Sequence, residues 1–202
     1  MHVGLFFGSF NPIHIGHLAI ANYMLEFSDM EQIWFVVSPH NPFKTKTSLL
    51  PEADRLHLVN LAIDGYPRYK ASNIEFKMPK PSYTIDTLVR LSEKYSQHRF
   101  SLIMGADNLD AFYKWKNYEA IVAGYHRYIY PRPGSPTPTT AKSDNATVVN
   151  APLMDISSSF IRASIAQGKE MPFFMPEKAY QYIKEMHFYE TVKNNENICQ
   201  NE

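Results

Sequence analysis

With only one cysteine in 202 residues, Cys199 has no partner within the chain. This excludes an intramolecular disulfide framework and agrees with a reducing compartment. Neither sign of charge dominates, because 20 Lys and Arg offset 20 Asp and Glu. No global field therefore draws the chain to nucleic acid or to an anionic membrane, and any phosphate site must be a local cluster. Long apolar runs are also missing. The first run, Val3–Phe7, follows Met1 almost at once and is too short for a signal-peptide core or a membrane span. We accordingly expect no export signal, no membrane partner and a cytoplasmic location. Two signatures of phosphate and metal chemistry are absent: no glycine leads at the proper spacing to Gly-Lys-Ser/Thr, and no HExxH pair occurs. There is no internal repeat.

What is present is a globular composition, 45% hydrophobic and 20% charged. It predicts one domain over residues 1–190 and a polar tail, 191–202, expected to be disordered. Apolar runs at 3–7, 32–37, 99–104 and 126–130 predict strands buried on both faces, as in a parallel sheet. Segments near 16–27, 52–64 and 84–96 predict helices long enough for crossovers between them. The expected fold is α/β: a Rossmann-like doubly wound parallel sheet with C-terminal helices near 158–167 and 177–186. A further strand is expected at 69–77, short helices at 107–112 and 117–123, and a short strand near 147–150. The proline-rich stretch Pro131–Thr140 reads as a loop able to cover a site.

Gly8-Ser-Phe-Asn-Pro-Ile-His-Ile-Gly-His17 joins the first strand to the first helix, where open α/β sheets present ligands. Gly8 lets backbone approach a phosphate closely, and the following helix points unpaired N–H groups and its positive dipole end at the same place. His14 and His17 then share one helix face and can both donate to a polyphosphate. Plain helix-start histidines, or half of a metal site, are the alternatives; with no cysteine nearby, no protein metal-ligand set is expected. Far downstream, Ile156-Ser-Ser-Ser-Phe-Ile-Arg162 offers hydroxyls at a helix start, with Arg162 one turn beyond Ser158 and Ser159. Taken alone, it could be a serine cap beside a solvated arginine.

Together the two segments resemble the HxGH and ISSTxIR signatures of the nucleotidyltransferase α/β-phosphodiesterase superfamily. Asn11 stands where aspartate is frequent and Ser159 where threonine is common. Pro81-Ser-Tyr-Thr-Ile-Asp-Thr-Leu88, Gly105-Ala-Asp-Asn-Leu109 with Tyr113-Lys-Trp115, and Arg132-Pro-Gly134 are similar to segments of bacterial nicotinate-nucleotide adenylyltransferases. That resemblance spans the first strand to about Tyr189.

The resemblance implies adenylyl transfer from ATP to nicotinate mononucleotide, giving deamido-NAD and pyrophosphate, with Mg²⁺ shielding the triphosphate. It implies catalytic roles for His14, His17, Lys44 and Arg162, with His17 and Lys44 serving the α-phosphate. It implies ATP contacts from Gly8, Ser9, Phe10, His14, His17, Gly105, Asp107, Ile156, Ser157, Ser158 and Arg162. On the acceptor side it implies Asn41, Lys44, Thr84, Asp107, Trp115, Lys116 and Arg132. Trp115 would stack on the ring, and the N–H groups of Thr84 and Lys116 would hold its carboxylate. Asp107 would bind a ribose hydroxyl and Arg132 the acceptor phosphate. Backbone donors suit a carboxylate better than a carboxamide, which brings its own donors.

Other acceptors, such as nicotinamide mononucleotide or phosphopantetheine, remain open at this stage. So does a non-catalytic nucleotide sensor on the same fold. Self-association into a homo-oligomer is compatible with the sequence, and nucleic acid is disfavoured as a partner by the zero net charge.

Overall fold

The computed structural model describes residues 1–39, 49–135 and 145–191. Its apolar runs form β1 (His2–Gly8), β2 (Gln32–Val37), β3 (Tyr69–Ser72), β4 (Arg99–Gly105), β5 (His126–Tyr130) and β6 (Ala146–Val148). These strands make one sheet in the order β3-β2-β1-β4-β5-β6, and every neighbouring pair is parallel. The helices are α1 (Ile15–Phe27), α2 (Glu52–Ala62), α3 (Thr84–Lys94), α4 (Tyr118–Gly124), α5 (Ser158–Ala166) and α6 (Glu177–Glu185).

Successive strand residues point to opposite faces, so each central strand feeds two cores. Phe6, Ile33, Phe35 and Ile103 pack with Ile20 and Met24 of α1, Leu58 and Val59 of α2, Ile161 of α5 and Ile183 of α6. Leu5, Trp34, Leu102 and Met104 pack with Leu88 and Leu91 of α3 and Ile121 of α4. Full burial of each such aliphatic side chain contributes roughly 1.5–3 kcal/mol, which is why the strands read as unbroken apolar runs. Helix starts carry their own local signals. Pro51 precedes α2, whose first turn holds Glu52 and Asp54 against the positive dipole end, and the Ser157 side chain caps α5 by accepting from Phe160 N–H at 3.1 Å.

Three expectations need correction. The strand expected over 69–77 stops at Ser72, and Ile74–Lys77 forms a 3-10 turn. Its partner strand ends at Val37, one residue past the last Val36–Ser72 pair, so no ladder remains to continue it. The short helix expected at 107–112 is a longer 3-10 stretch, Ala106–Lys114. The last strand covers Ala146–Val148 rather than 147–150. Asn41, Lys44, Cys199, part of the proline-rich loop and all of the tail except Thr191 lie outside the described residues.

The topology fixes where a ligand can bind. From β1 the chain moves outward to β3, then returns to place β4 on the opposite flank of β1. The loops leaving β1 and β4 therefore diverge, opening a crevice at the C-terminal edge of the sheet. Among the described residues, no helix is long and apolar enough to cross a membrane.

Candidate active site

The loop from Gly8 to His14 sits over that crevice. A Cβ on Gly8 would come within 2.8 Å of the Phe10 ring, so glycine lets the aromatic fold back beneath the loop. Phe10 itself has φ of +45° and is 1% exposed. A bulky residue in the left-handed region costs about 1–3 kcal/mol and persists only where its surroundings hold it. Here Phe6, Phe35 and His17 hold it, with ring centroids 6.0, 5.5 and 5.1 Å away. The Phe10 side chain is therefore core.

His14 caps α1 in an extended conformation, and its ring centroid lies 3.7 Å from that of His17. The His14 backbone N–H donates to His17 Nδ1 at 3.3 Å. Neutral His17 must then carry its proton on Nε2, which makes Nε2 a donor. Gly16 is needed between them, because a Cβ there would sit 3.0 Å from His14 Nδ1.

His14 is buried, and its Nδ1 has no hydrogen-bond partner among the described residues. Burial first, and then the nearby Arg132 cation, bring its pKa down to about 4, so it is neutral at pH 7. The folded chain thus takes up this proton less readily than the unfolded chain, whose value is near 6.5. Stability from this group is intact above pH 6.5, falls as pH drops toward 4, and levels off below. Urea unfolding of the parent and His14→Gln at pH 7 and at about pH 4.5 should show a smaller acid loss in the variant. Equal acid losses would contradict the assignment.

The second motif is tied directly to the first. Ser158 Oγ donates to the Pro12 carbonyl at 2.9 Å, while Arg162 donates to the Asn11 carbonyl at 2.7 Å and to Ser159 Oγ at 3.2 Å. The Asn11 side-chain oxygen accepts from Tyr189 Oη at 2.7 Å and from Leu50 N–H at 3.2 Å. A narrow crevice here is lined by His14, Gly16, His17, Tyr130, Arg132 and Ile156. Burial raises the Tyr130 hydroxyl to about 12, leaving it a neutral group. Arg132 lies 3.7 Å from Asp107 across Gly105, where a Cβ would meet Asp107 and come within 2.9 Å of the Arg132 stem.

A second cavity of about 390 Å³ opens on the other face of the sheet, lined by Gly8, Ser9, Ser38, Glu75, Tyr83, Thr84, Asp107, Trp115 and Lys116. Trp115 is half-buried against Phe112, with centroids 5.3 Å apart. Thr84 is the first residue of α3, so its N–H has no intrahelical acceptor. Neither Thr84 N–H nor Lys116 N–H meets a protein acceptor among the described residues.

Ten of the expected residues fall into two adjoining groups, whereas Phe10, Gly105, Ser157, Ser158 and Arg162 line neither cavity. Thr84, Asp107, Trp115 and Lys116 share the cavity with Gly8 and Ser9, and His14, His17 and Ile156 share the crevice. Arg132 lies with the histidines and not with Thr84 and Trp115, which differs from its expected grouping. Ser157 Oγ is occupied as the α5 cap.

The sequence reading missed two buried ionisable groups next to the site. Arg55 is fully buried in α2 and donates to the carbonyls of Ser9 (2.6 Å), Ser38 (2.8 Å), Leu50 (2.9 Å) and Pro39 (3.0 Å). Burial pulls its pKa below the ordinary value, but arginine stays protonated. Glu75 is 2% exposed and accepts from Ser82 and Thr87 hydroxyls at 2.8 Å each. Desolvation raises its pKa, against the lowering effect of those hydroxyls.

Residues 5–164 match the cytidylyltransferase-like family. The chain is 50% identical over 191 residues to the "Probable nicotinate-nucleotide adenylyltransferase" of Flavobacterium psychrophilum, covering 94% of this chain and 99% of that one. It is 51% identical over 191 residues to the like-named protein of Flavobacterium johnsoniae, with the same coverage. The chain belongs to the nicotinate-nucleotide adenylyltransferase family. Its fold is also that of a Plasmodium falciparum nicotinic acid mononucleotide adenylyltransferase complexed with NaAD, with TM-score 0.79, 18% identity and coverage of 93% and 97% of the two chains. In this adenylyltransferase family member, the crevice and the cavity lie on either side of the loop that leaves β1.

Proposed function

We propose that the chain transfers the adenylyl group of ATP to nicotinate mononucleotide, forming deamido-NAD and pyrophosphate. The observation that carries this reading is the junction itself. Gly8 and Ser9 line a cavity with Thr84, Trp115 and Lys116, and the same loop runs on into His14 and His17 beside Ile156. Two phosphate-bearing substrates held on either side of Gly8 would bring an acceptor phosphate to the α-phosphorus of ATP. The names carried by its relatives support the same acceptor.

In this reading His17 Nε2 donates to the α-phosphate, with Lys44 as a second cation there, and His14, Ser158 and Arg162 hold the remaining phosphates. Arg132, placed among the histidines beside Asp107, serves the phosphate end of the acceptor, and Asp107 accepts from a ribose hydroxyl. The acceptor phosphate has a second pKa of about 6 and is already a nucleophile at neutral pH. The protein's work is positioning and charge stabilisation, without a general base.

Among the described residues, no cluster of three or more His, Cys, Asp or Glu could hold a metal ion. A divalent cation would accordingly arrive on the triphosphate with its own waters, which suits Mg²⁺, and would neutralise phosphate charge. The single cysteine agrees with a reducing compartment and supports a cytoplasmic location for the reaction.

Incubation of the chain with ATP, Mg²⁺ and nicotinate mononucleotide should yield deamido-NAD and pyrophosphate in equal amounts. Release of ADP and orthophosphate, or an isolable adenylyl-enzyme, would contradict the reading. Trp115→Ala should raise the acceptor's KM about tenfold by loss of ring stacking, with the KM for ATP little changed. An unaltered acceptor KM would remove Trp115 from the ring site.

A further inference from the structure

The cavity that takes the nicotinate ring in the reading above has two rims. One is the first turn of α3, beginning at Thr84, and the other is the segment after the 3-10 stretch, with Lys116; both residues line the cavity, and neither N–H meets a protein acceptor among the described residues. A carboxylate is read by two donors only if their separation is fixed, because its two oxygens present acceptors at a set spacing. Among the described residues, the hydrogen bonds that cross from the first turn of α3 to residues 112–117 are both made by one pair. Lys116 Nζ donates to Asp86 Oδ2 at 2.8 Å and to Oδ1 at 3.1 Å. The same ammonium lies 4.9 Å from the centre of the Tyr83 ring. Its two contacts, Tyr83 and Asp86, thus bracket Thr84 in the chain.

We propose that the Lys116–Asp86 pair is a specificity-determining clamp: it sets the spacing of the Thr84 and Lys116 N–H groups and thereby favours a nicotinate over a nicotinamide acceptor. Both residues act through those backbone donors, as positioning residues. Their side chains are 43% and 42% exposed, so removing either leaves the core intact. Such a pair is worth little to overall stability. Its link between the two rims gives it leverage on geometry instead.

Local charge offers a competing explanation, and it predicts a different pattern. Asp86→Asn removes a negative charge near the substrate carboxylate, and Lys116→Met removes a positive one. If charge alone mattered, the first change would strengthen acid preference and the second weaken it. A clamp is broken by either.

The test measures the ratio of kcat/KM for nicotinate mononucleotide to that for nicotinamide mononucleotide in the parent, both single variants and the charge-swapped Asp86→Lys/Lys116→Asp. The proposal expects both single variants to lower the ratio by about fivefold and the swap to recover most of it. High salt should lower the parent ratio toward that of the single variants. Opposite effects of the two single variants, no effect of either, or an equal rise in the KM for ATP would overturn the clamp. The clamp rests on the acid-acceptor reading, and the parent protein separates the two failures. A parent without acid preference removes that reading and the clamp together, whereas a parent with it and unaffected variants removes the clamp alone.

Discussion

His17→Ala lowers the maximal rate of adenylyl transfer by about a hundredfold to a thousandfold, the usual consequence of removing one preorganised donor to developing negative charge, while the acceptor's KM changes little. The expectation follows from how the ring is held. Its Nδ1 is engaged by the His14 backbone N–H, and its faces and edges are packed by Phe6 and Phe10. Both the tautomer and the direction of Nε2 are therefore set before substrate arrives. A donor that needs no reorganisation is worth more to the transition state than to the ground state, so its loss appears in kcat. His17→Asn retains a donor at a different reach and should recover part of the rate. Steady-state kinetics with varied acceptor at saturating ATP check this. A His17→Ala protein with the parent's turnover would remove His17 from the reacting centre.

Arg55→Met destabilises the fold by about 3 kcal/mol or more, because four carbonyl oxygens lose their donor and each buried unsatisfied group costs about 1–3 kcal/mol, partly recovered by water. In a chain of this size that corresponds to a fall in Tm of about 10 °C. The four carbonyls belong to the loop after β1 at Ser9, the end of β2 at Ser38 and Pro39, and Leu50 ahead of α2. Losing the guanidinium therefore loosens the floor of the site as well as the core. Arg55→Lys keeps the charge but not the planar fork and should fall between the two. Thermal unfolding followed by circular dichroism gives the shift, and a fall in Tm of under 3 °C for Arg55→Met would show that the carbonyls find other donors.

Arg55 also shows where the sequence becomes unreadable. In a stretch with Glu52, Asp54 and Asn60, an arginine looks like one more solvated helix residue. Only the convergence of two distant segments, with Leu50 nearby, on its guanidinium reveals its role. Glu75 was hidden for a related reason. Strand periodicity over 69–77 has no means of showing that β2 runs out of partners at Val37, so the turn that buries this carboxylate beside Ser82 and Thr87 is a tertiary effect. Arg132 follows β5 in sequence, and its sharing of a crevice with His14 depends on β5 lying two strands from β1.

What was legible is whatever the chain encodes locally. The strands at 3–7, 32–37, 99–104 and 126–130 appear within a residue or so of their expected bounds, because burial on both faces requires unbroken apolar runs. The segments Gly8–His17 and Ile156–Arg162 were legible as helix starts because each couples a helix start to side chains one turn away. The Ser158–Pro12 and Arg162–Asn11 contacts that join them span 146 and 151 residues of the chain. Only the fold supplies those contacts.

The central claim is that one side of Gly8 holds ATP and the other holds a nicotinate acceptor. It is tested most directly by supplying nicotinate mononucleotide, nicotinamide mononucleotide and phosphopantetheine together, at equal concentration, with ATP and Mg²⁺, and quantifying each adenylylated product. Deamido-NAD should dominate. Dominance of either other product would contradict the assignment of Thr84, Trp115 and Lys116, and pyrophosphate release without any of the three products would contradict the claim as a whole.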